Sequence, residues 1–101
     1  MDAQDDVTAF LERHDLETDP AYRALDLASE VGEVAKEINE STTYGADPEV
    51  VAIARDELGD ALFALLALCT EVDVDAGDAL EESLAKYERR LETSGSPDSG
   101  S

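Results

Sequence analysis

Apolar residues recur along this chain at spacings of three and four, which is the spacing of one face of an α-helix. One stripe consists of Ala24, Leu27, Val31, Val34 and Ile38. A longer stripe consists of Val51, Ala54, Leu58, Ala61, Leu65, Leu68 and Val72. The alternating, β-branched pattern of a strand is found in no segment of the sequence. The predicted fold class is therefore all-α.

The pattern predicts four helices. An Asp-Pro pair marks the start of the second and third helices, because Asp is a good cap and Pro suits the first helical position. The predicted helices span roughly Asp5 to Arg13, Asp19-Pro20 to Asn39, Asp47-Pro48 to Glu71, and Ala79 to Leu91.

The third helix is apolar on every side between Asp60 and Thr70, so we expect this half to be buried all round, with Cys69 as a core residue. In the fourth helix, the residues predicted to face inward are Leu80, Leu84, Tyr87 and Leu91. A chain of 101 residues has little interior. We therefore expect a four-helix bundle over residues 1–93, completed by homo-oligomerisation, most simply as a homodimer, and a disordered tail over residues 94–101.

Composition sets limits on the partners. The chain has 26 acidic against 7 basic residues, for a formal net charge of −19. Such a surface repels nucleic acid and anionic membranes, so neither is expected to bind. The acids are spread along the chain, as in proteins adapted to molar salt, where screening relieves their repulsion. We expect a halophilic, salt-requiring protein, and a cytoplasmic one because no signal peptide pattern is found.

Two segments repeat an acid-x-Gly-acid pattern, Glu30-Val31-Gly32-Glu33 and Glu57-Leu58-Gly59-Asp60. Residues three apart on a helix are neighbours, so each segment offers two adjacent carboxylates. Packing the two helices side by side would bring four carboxylates together, and these repel unless cations lie between them. Each glycine points away from its acid pair, and we expect it to allow close approach of another helix.

These acids also have a simpler interpretation, which is a solvated face of an acidic protein. The second helix alone fits it, since its acidic stripe comprises Asp26, Glu30, Glu33, Glu37 and Glu40. The third helix favours a metal site. There Glu57 and Asp60 share a face with uncharged Val50, Ile53 and Ala64, where an unpaired carboxylate is costly.

Glu-x-x-Glu on one helix followed by Glu-x-x-Asp on the next resembles the MazG-type all-α NTP pyrophosphohydrolases. The surrounding residues are similar too, over Leu27 to Ala35 and Asp56 to Phe63, as is a last helix that closes on Lys86, Arg89 and Arg90. The resemblance covers about Val7 to Leu91.

The resemblance implies hydrolysis of a nucleoside triphosphate to the monophosphate and pyrophosphate, with the clearing of unwanted nucleotides as the expected role. It implies that Glu30, Glu33, Glu57 and Asp60 are the catalytic metal ligands, with Mg²⁺ as the cofactor and Mn²⁺ as an alternative. Lys86, Tyr87, Arg89 and Arg90 are candidate substrate contacts, although cations near a helix C-terminus are also favourable without a ligand. The chain departs from the family pattern at Ser29, where many relatives have Glu, and at Tyr87, where many have Asn.

Two other functions remain open. One is a non-catalytic helical module that uses the same core to oligomerise. The other is a nucleotide sensor that binds with Mg²⁺ and does not turn over. The sequence leaves open which base or sugar is preferred.

Overall fold

The computed structural model describes residues 2–95. This part of the chain is all-α, as predicted, and contains no strand. Its four helices are α1 (Asp2–Arg13), α2 (Pro20–Ser41), α3 (Arg55–Glu71) and α4 (Ala76–Ser94). No helix in the described range is long and apolar enough to cross a membrane.

The helix pair α2 and α3 forms the main packing unit, and α1 packs on α3. The fully buried apolar residues are Leu11 on α1 and Ala64, Leu66 and Ala67 on α3. Three of the four lie on α3 because it is the helix that the other two cover. Small Ala64 and Ala67 allow the neighbouring helices to approach closely.

Helix α1 is tied to the turn between α3 and α4 by the buried side chain of Gln4. Its Nε2 donates to the Val74 carbonyl at 2.8 Å, and its Oε1 accepts from the Ala76 backbone N–H at 2.7 Å. The hydroxyls of Thr8 and Thr70 share a hydrogen bond of 2.9 Å. Side chains from α1 therefore satisfy backbone groups that the turn leaves unpaired.

The Asp-Pro start signal is correct for α2 and wrong for α3. Asp19 and Pro20 stand at the start of α2, although the Asp19 side chain makes no capping hydrogen bond. Residues 47–49 instead form a turn, in which the Val50 N–H donates to the Asp47 carbonyl. Residues 50–54 then form no helix, and α3 begins at Arg55, with Ala54 in an extended conformation at the cap position.

Local interactions explain the later start of α3. Val50, Val51 and Ile53 are β-branched, which favours an extended backbone. The hydroxyl of Ser41, at the end of α2, accepts a hydrogen bond of 3.0 Å from the Ala52 N–H. This bond holds the extended segment beside α2 and so takes Val51 out of the predicted helical stripe.

Helix α4 has clear signals at both ends. The Asp75 side chain accepts a hydrogen bond from the Asp78 N–H at 2.8 Å, so α4 starts three residues earlier than predicted. At its other end, Gly95 adopts a left-handed conformation with φ of 75° and caps the helix after Ser94. The predicted disordered tail spans residues 94–101, of which Ser94 ends α4 and Gly95 caps it, while residues 96–101 lie outside the described residues.

The prediction that the apolar side of α4 faces inward is wrong for the single chain. Extended helix–helix contact in the described residues involves only α1, α2 and α3, and α4 has no buried residue. Leu84 is 57% exposed. We call the residues of this stripe, all at least 41% exposed, the α4 apolar face: Leu80, Leu84, Tyr87 and Leu91.

Helix α3 is likewise not buried all round. Leu58, Leu62 and Leu65 are 43–51% exposed, and Cys69 is only half-buried. A side chain added at Gly32 or Gly59 would meet open space, so neither glycine serves close helix approach within residues 2–95. The radius of gyration is 16.5 Å, against about 13 Å for a compact chain of this size. The single chain therefore leaves a large part of its apolar surface uncovered.

Candidate metal centre

Three carboxylates from two helices meet at one point. Glu30 of α2 and Glu57 and Asp60 of α3 each place an oxygen within 4.8 Å of the other two. Glu30 and Glu57 are half-buried and Asp60 is exposed. We call these three residues the carboxylate cluster. The cluster forms because the two acids of α3 share a helix face with Ala64 and Ala67, which lie on the buried side of that helix.

The fourth predicted ligand, Glu33, is not part of this cluster. Its side chain is exposed on α2, one turn beyond Glu30. Its charge nevertheless acts on the cluster through the pKa of Glu57. The structure thus brings together three of the four acids and leaves Glu33 at the rim.

The pKa of Glu57 lies above its ordinary value. Loss of solvation raises it most, and repulsion from neighbouring carboxylates adds to this effect. In order of decreasing effect, these neighbours are Glu37, Asp56, Asp60 and Glu33. Glu37 belongs to the acidic stripe of α2 that the sequence shows, but nothing in the spacing singled it out. Lost solvation and the neighbouring negative charges therefore both disfavour the ionised form of Glu57.

The donor set suits a hard divalent cation. All three groups offer only carboxylate oxygens, which Mg²⁺ and Mn²⁺ prefer over nitrogen or sulfur ligands. A bound cation would lie between groups that otherwise repel each other. The cluster therefore fits a metal centre by both its chemistry and its charge.

A cavity of about 400 Å³ opens beside the cluster. We call it the α2–α3 cavity, since one wall comes from α2 and the other from α3: Arg23, Asp26, Glu30, Asp60, Phe63 and Ala64. Glu30 and Asp60 belong to both the cluster and the cavity, so a molecule bound at the cluster can extend into the cavity.

Arg23 is a site residue that sequence analysis missed. It is only 8% exposed, its Nη2 donates to the Leu16 carbonyl, and its Nε lies 3.8 Å from Glu71 Oε1. Neither atom of this ion pair makes a hydrogen bond within the described residues. The available signal was its position, because Arg23 precedes Asp26 and Glu30 on one face of α2 by three and seven residues.

The predicted substrate contacts on α4 line neither the cluster nor the cavity. The Lys86 Nζ and the Arg90 guanidinium lie over the Tyr87 ring, 5.0 Å and 5.7 Å from its centroid. Arg89 is exposed. Lys86, Tyr87 and Arg90 therefore contact one another on α4, and none of the four residues lines the cluster or the cavity.

Comparison with known protein families agrees with the resemblance seen in the sequence. The family model described as MazG nucleotide pyrophosphohydrolase domain matches residues 20–94, which is more than half of the chain and includes all four predicted ligands. Helix α1 lies outside the matched residues. No curated protein and no solved structure matches the chain. With the matched residues forming an all-α unit that carries the carboxylate cluster, the chain belongs to the MazG nucleotide pyrophosphohydrolase domain family.

Proposed function

We propose that this protein is a Mg²⁺-dependent nucleoside triphosphate pyrophosphohydrolase, with residues 1–93 as its single domain. The observation that carries the proposal is the meeting of Glu30, Glu57 and Asp60 within a matched MazG domain. The family supports nucleotide pyrophosphohydrolysis in general, and the cluster supports a metal requirement. Mn²⁺ should replace Mg²⁺, because both accept carboxylate oxygens.

The cluster would hold the cation, with Glu33 proposed as a further ligand from the rim. Bound Mg²⁺ would offset the charge of the triphosphate and the charge that develops at the α-phosphorus. Glu30, Glu57 and Asp60 lie on two packed helices, which hold their backbones close together before substrate arrives.

The reaction itself is a hydrolysis at the α-phosphorus. A carboxylate oxygen of the site accepts a proton from water, and the water oxygen forms a bond to the α-phosphorus. The bond between that phosphorus and the bridging oxygen breaks, so pyrophosphate leaves and the nucleoside monophosphate remains.

Hydrolysis in ¹⁸O-labelled water tests this reaction. We expect nucleoside monophosphate and pyrophosphate as products, with the label in the monophosphate. Label in the pyrophosphate would show attack at the β-phosphorus instead. Release of inorganic phosphate as the first product would contradict the proposed reaction class.

We further propose that the protein is a homodimer or higher homo-oligomer. The α4 apolar face and the leucines of α3 leave apolar side chains 41–57% exposed, a surface that a second copy would cover. A second copy is the partner that carries matching apolar stripes. Light scattering after size exclusion should give a mass of at least two chains, and a monomeric mass would contradict the proposal.

Salt should be required for this assembly. The net charge of −19 disfavours the folded chain, because its like charges repel one another, and it also repels a second copy. In molar KCl the Debye length falls to about 3 Å, which removes most of that repulsion. We expect helical circular dichroism and oligomeric mass to fall together on dialysis into dilute buffer, and to recover when KCl is restored.

A non-catalytic oligomerisation module is the second candidate function, and the uncovered α4 apolar face is the observation that favours it. This function predicts a stable oligomer without turnover of any nucleotide. A nucleotide sensor would instead bind triphosphate with Mg²⁺ and release no pyrophosphate.

A further inference from the structure

The α2–α3 cavity differs from the carboxylate cluster in its composition. Beyond Glu30 and Asp60, its walls are an aromatic ring, a small apolar residue, a buried cation and one further carboxylate. These groups are Phe63, Ala64, Arg23 and Asp26. Phe63 and Ala64 offer apolar surface for a ring, and the four charged groups around them can bind the polar edges of an organic ligand.

The Phe63 ring is held in place from the side of α1. Phe10 meets it edge to face, with ring centroids 5.9 Å apart and planes at 86°. Phe10 in turn contacts the His14 ring, with centroids 4.7 Å apart. Since the edge contact to Phe10 fixes its orientation, Phe63 is an ordered wall of the cavity.

Arg23 is fixed from two directions by the Leu16 carbonyl and Glu71. Its charge partly offsets the carboxylates around it, which allows the cavity to accept a polar ligand. Asp26 follows one turn later on α2, is exposed, and lies outside the carboxylate cluster. Its carboxylate is an acceptor only, so it selects for hydrogen-bond donors.

We propose that the α2–α3 cavity binds the nucleoside part of the substrate, with Phe63 stacking on the base and Asp26 accepting from two adjacent donors. This inference rests on the proposed function, because the shared walls Glu30 and Asp60 would place the phosphates at the cluster. Asp26 is then a specificity-determining residue. Two parts of a nucleoside offer such paired donors, the N1–H and 2-amino edge of guanine and the 2′,3′-hydroxyls of ribose.

Nucleotide pairs that differ by one donor separate these two sources. ITP lacks the 2-amino group of GTP, and dGTP lacks its 2′-hydroxyl. We expect kcat/KM of the wild type to fall about tenfold for one of these two changes, the effect of losing one arm of a bidentate contact. A lower kcat/KM for ITP than for GTP shows that the paired donors are those of the base edge. A lower kcat/KM for dGTP than for GTP shows that they are the hydroxyls of the sugar.

The variant Asp26→Asn tests whether Asp26 is responsible. It should reduce the discriminating ratio to less than about threefold, since the amide offers only one acceptor oxygen. Glu40→Gln is the matched control, because it removes one charge from an exposed position near the end of the same helix. A ratio unchanged in Asp26→Asn, or the absence of discrimination in the wild type, overturns the proposal.

Binding of GMP in molar KCl without a divalent ion tests the cavity apart from turnover. Phe63→Leu should weaken GMP binding by about tenfold, as expected for loss of base stacking, and should leave Mn²⁺ binding unchanged. GMP binding that is equal in wild type, Phe63→Leu and Asp26→Asn overturns the nucleoside cavity. If Phe63→Leu does not fold, Asp26→Asn at an exposed position still decides the question.

These measurements separate the two hypotheses. If the wild type hydrolyses triphosphates but shows neither discrimination nor an effect of Phe63→Leu, the proposed function stands and the nucleoside cavity is contradicted. If the wild type binds GMP through Phe63 and Asp26 but hydrolyses no triphosphate, the nucleoside cavity stands and the proposed enzymatic function is contradicted.

Discussion

The α2–α3 pair and helix α4 show opposite relations between sequence pattern and packing. Along α2 and α3, the acids and the small buried residues lie where the two helices meet, and the result is a defined site. Helix α4 has an equally regular apolar stripe, yet no residue of it is buried. An apolar stripe thus identifies the face of a helix that packs against another surface, but it does not identify that surface.

The difference has a functional meaning under our account. The carboxylate cluster is assembled within one chain, because both helices that carry it pack in that chain. We propose that a second copy covers the α4 apolar face, which is exposed in the single chain. Changes at the cluster should therefore affect chemistry first, and changes on α4 should affect assembly first.

The largest effect is expected from Glu57→Gln, which should lower kcat by about a thousandfold, because it removes one metal ligand while keeping the shape of the side chain. Pyrophosphate release in molar KCl measures this loss. Glu49→Gln, in the exposed turn before α3, is the control and should retain full activity.

The same variant should gain stability without metal. The fold raises the pKa of Glu57, so at pH values above that pKa its ionisation opposes folding, and the cost disappears as the group is protonated at lower pH. Glu57→Gln should melt above the wild type in EDTA at neutral pH. Mg²⁺ should raise the melting temperature of the wild type more than that of the variant.

The next largest effect is expected from Leu84→Glu on the α4 apolar face. Burying one leucine contributes about 1.5–3 kcal/mol, and a symmetric dimer loses it twice. The dissociation constant should rise at least about a hundredfold, as measured by sedimentation equilibrium. Ala85→Glu adds the same charge on a neighbouring side of α4 and should leave the dimer intact. Equal effects of both variants would contradict an interface on this face.

A smaller effect is expected from Gln4→Ala. The change leaves the Val74 carbonyl and the Ala76 N–H without their side-chain partner, at a cost of about 2 kcal/mol. Urea unfolding in molar KCl should show this loss. Asp5→Ala, at an exposed position one residue further along α1, should change stability little.

The smallest effect is expected from Glu33→Gln. Since Glu33 lies outside the cluster, its removal should lower kcat/KM about tenfold, or about 1.4 kcal/mol. A loss equal to that of Glu57→Gln would show that Glu33 joins the cluster when substrate binds. No loss would remove Glu33 from the proposed ligand set.

The sequence predicted the all-α class, the start of α2 and three cluster acids, because each depends on local spacing along a helix. It failed where the outcome depends on neighbours in space. The Asp47-Pro48 pair does not start α3, because β-branched residues follow it and the Ala52 N–H donates a hydrogen bond to the Ser41 hydroxyl. Arg23 was missed because its role depends on Leu16 and Glu71, which no local pattern connects to it.

The α4 prediction failed for a related reason. Periodicity identifies one face of α4, but the part of the chain that the structure describes supplies no surface that buries its residues: Leu80, Leu84, Tyr87 and Leu91. The family pattern also named Glu33 as a ligand; Glu33 lies outside the carboxylate cluster and stays a proposed ligand.

The most direct test of the central claim is to measure pyrophosphate and nucleoside monophosphate released from a panel of NTPs and dNTPs in molar KCl, with Mg²⁺ or with EDTA. We predict equal amounts of the two products from at least one nucleotide with Mg²⁺, and none with EDTA. Folded, oligomeric protein that releases no pyrophosphate from any nucleotide would contradict the account, as would release that continues unchanged in EDTA.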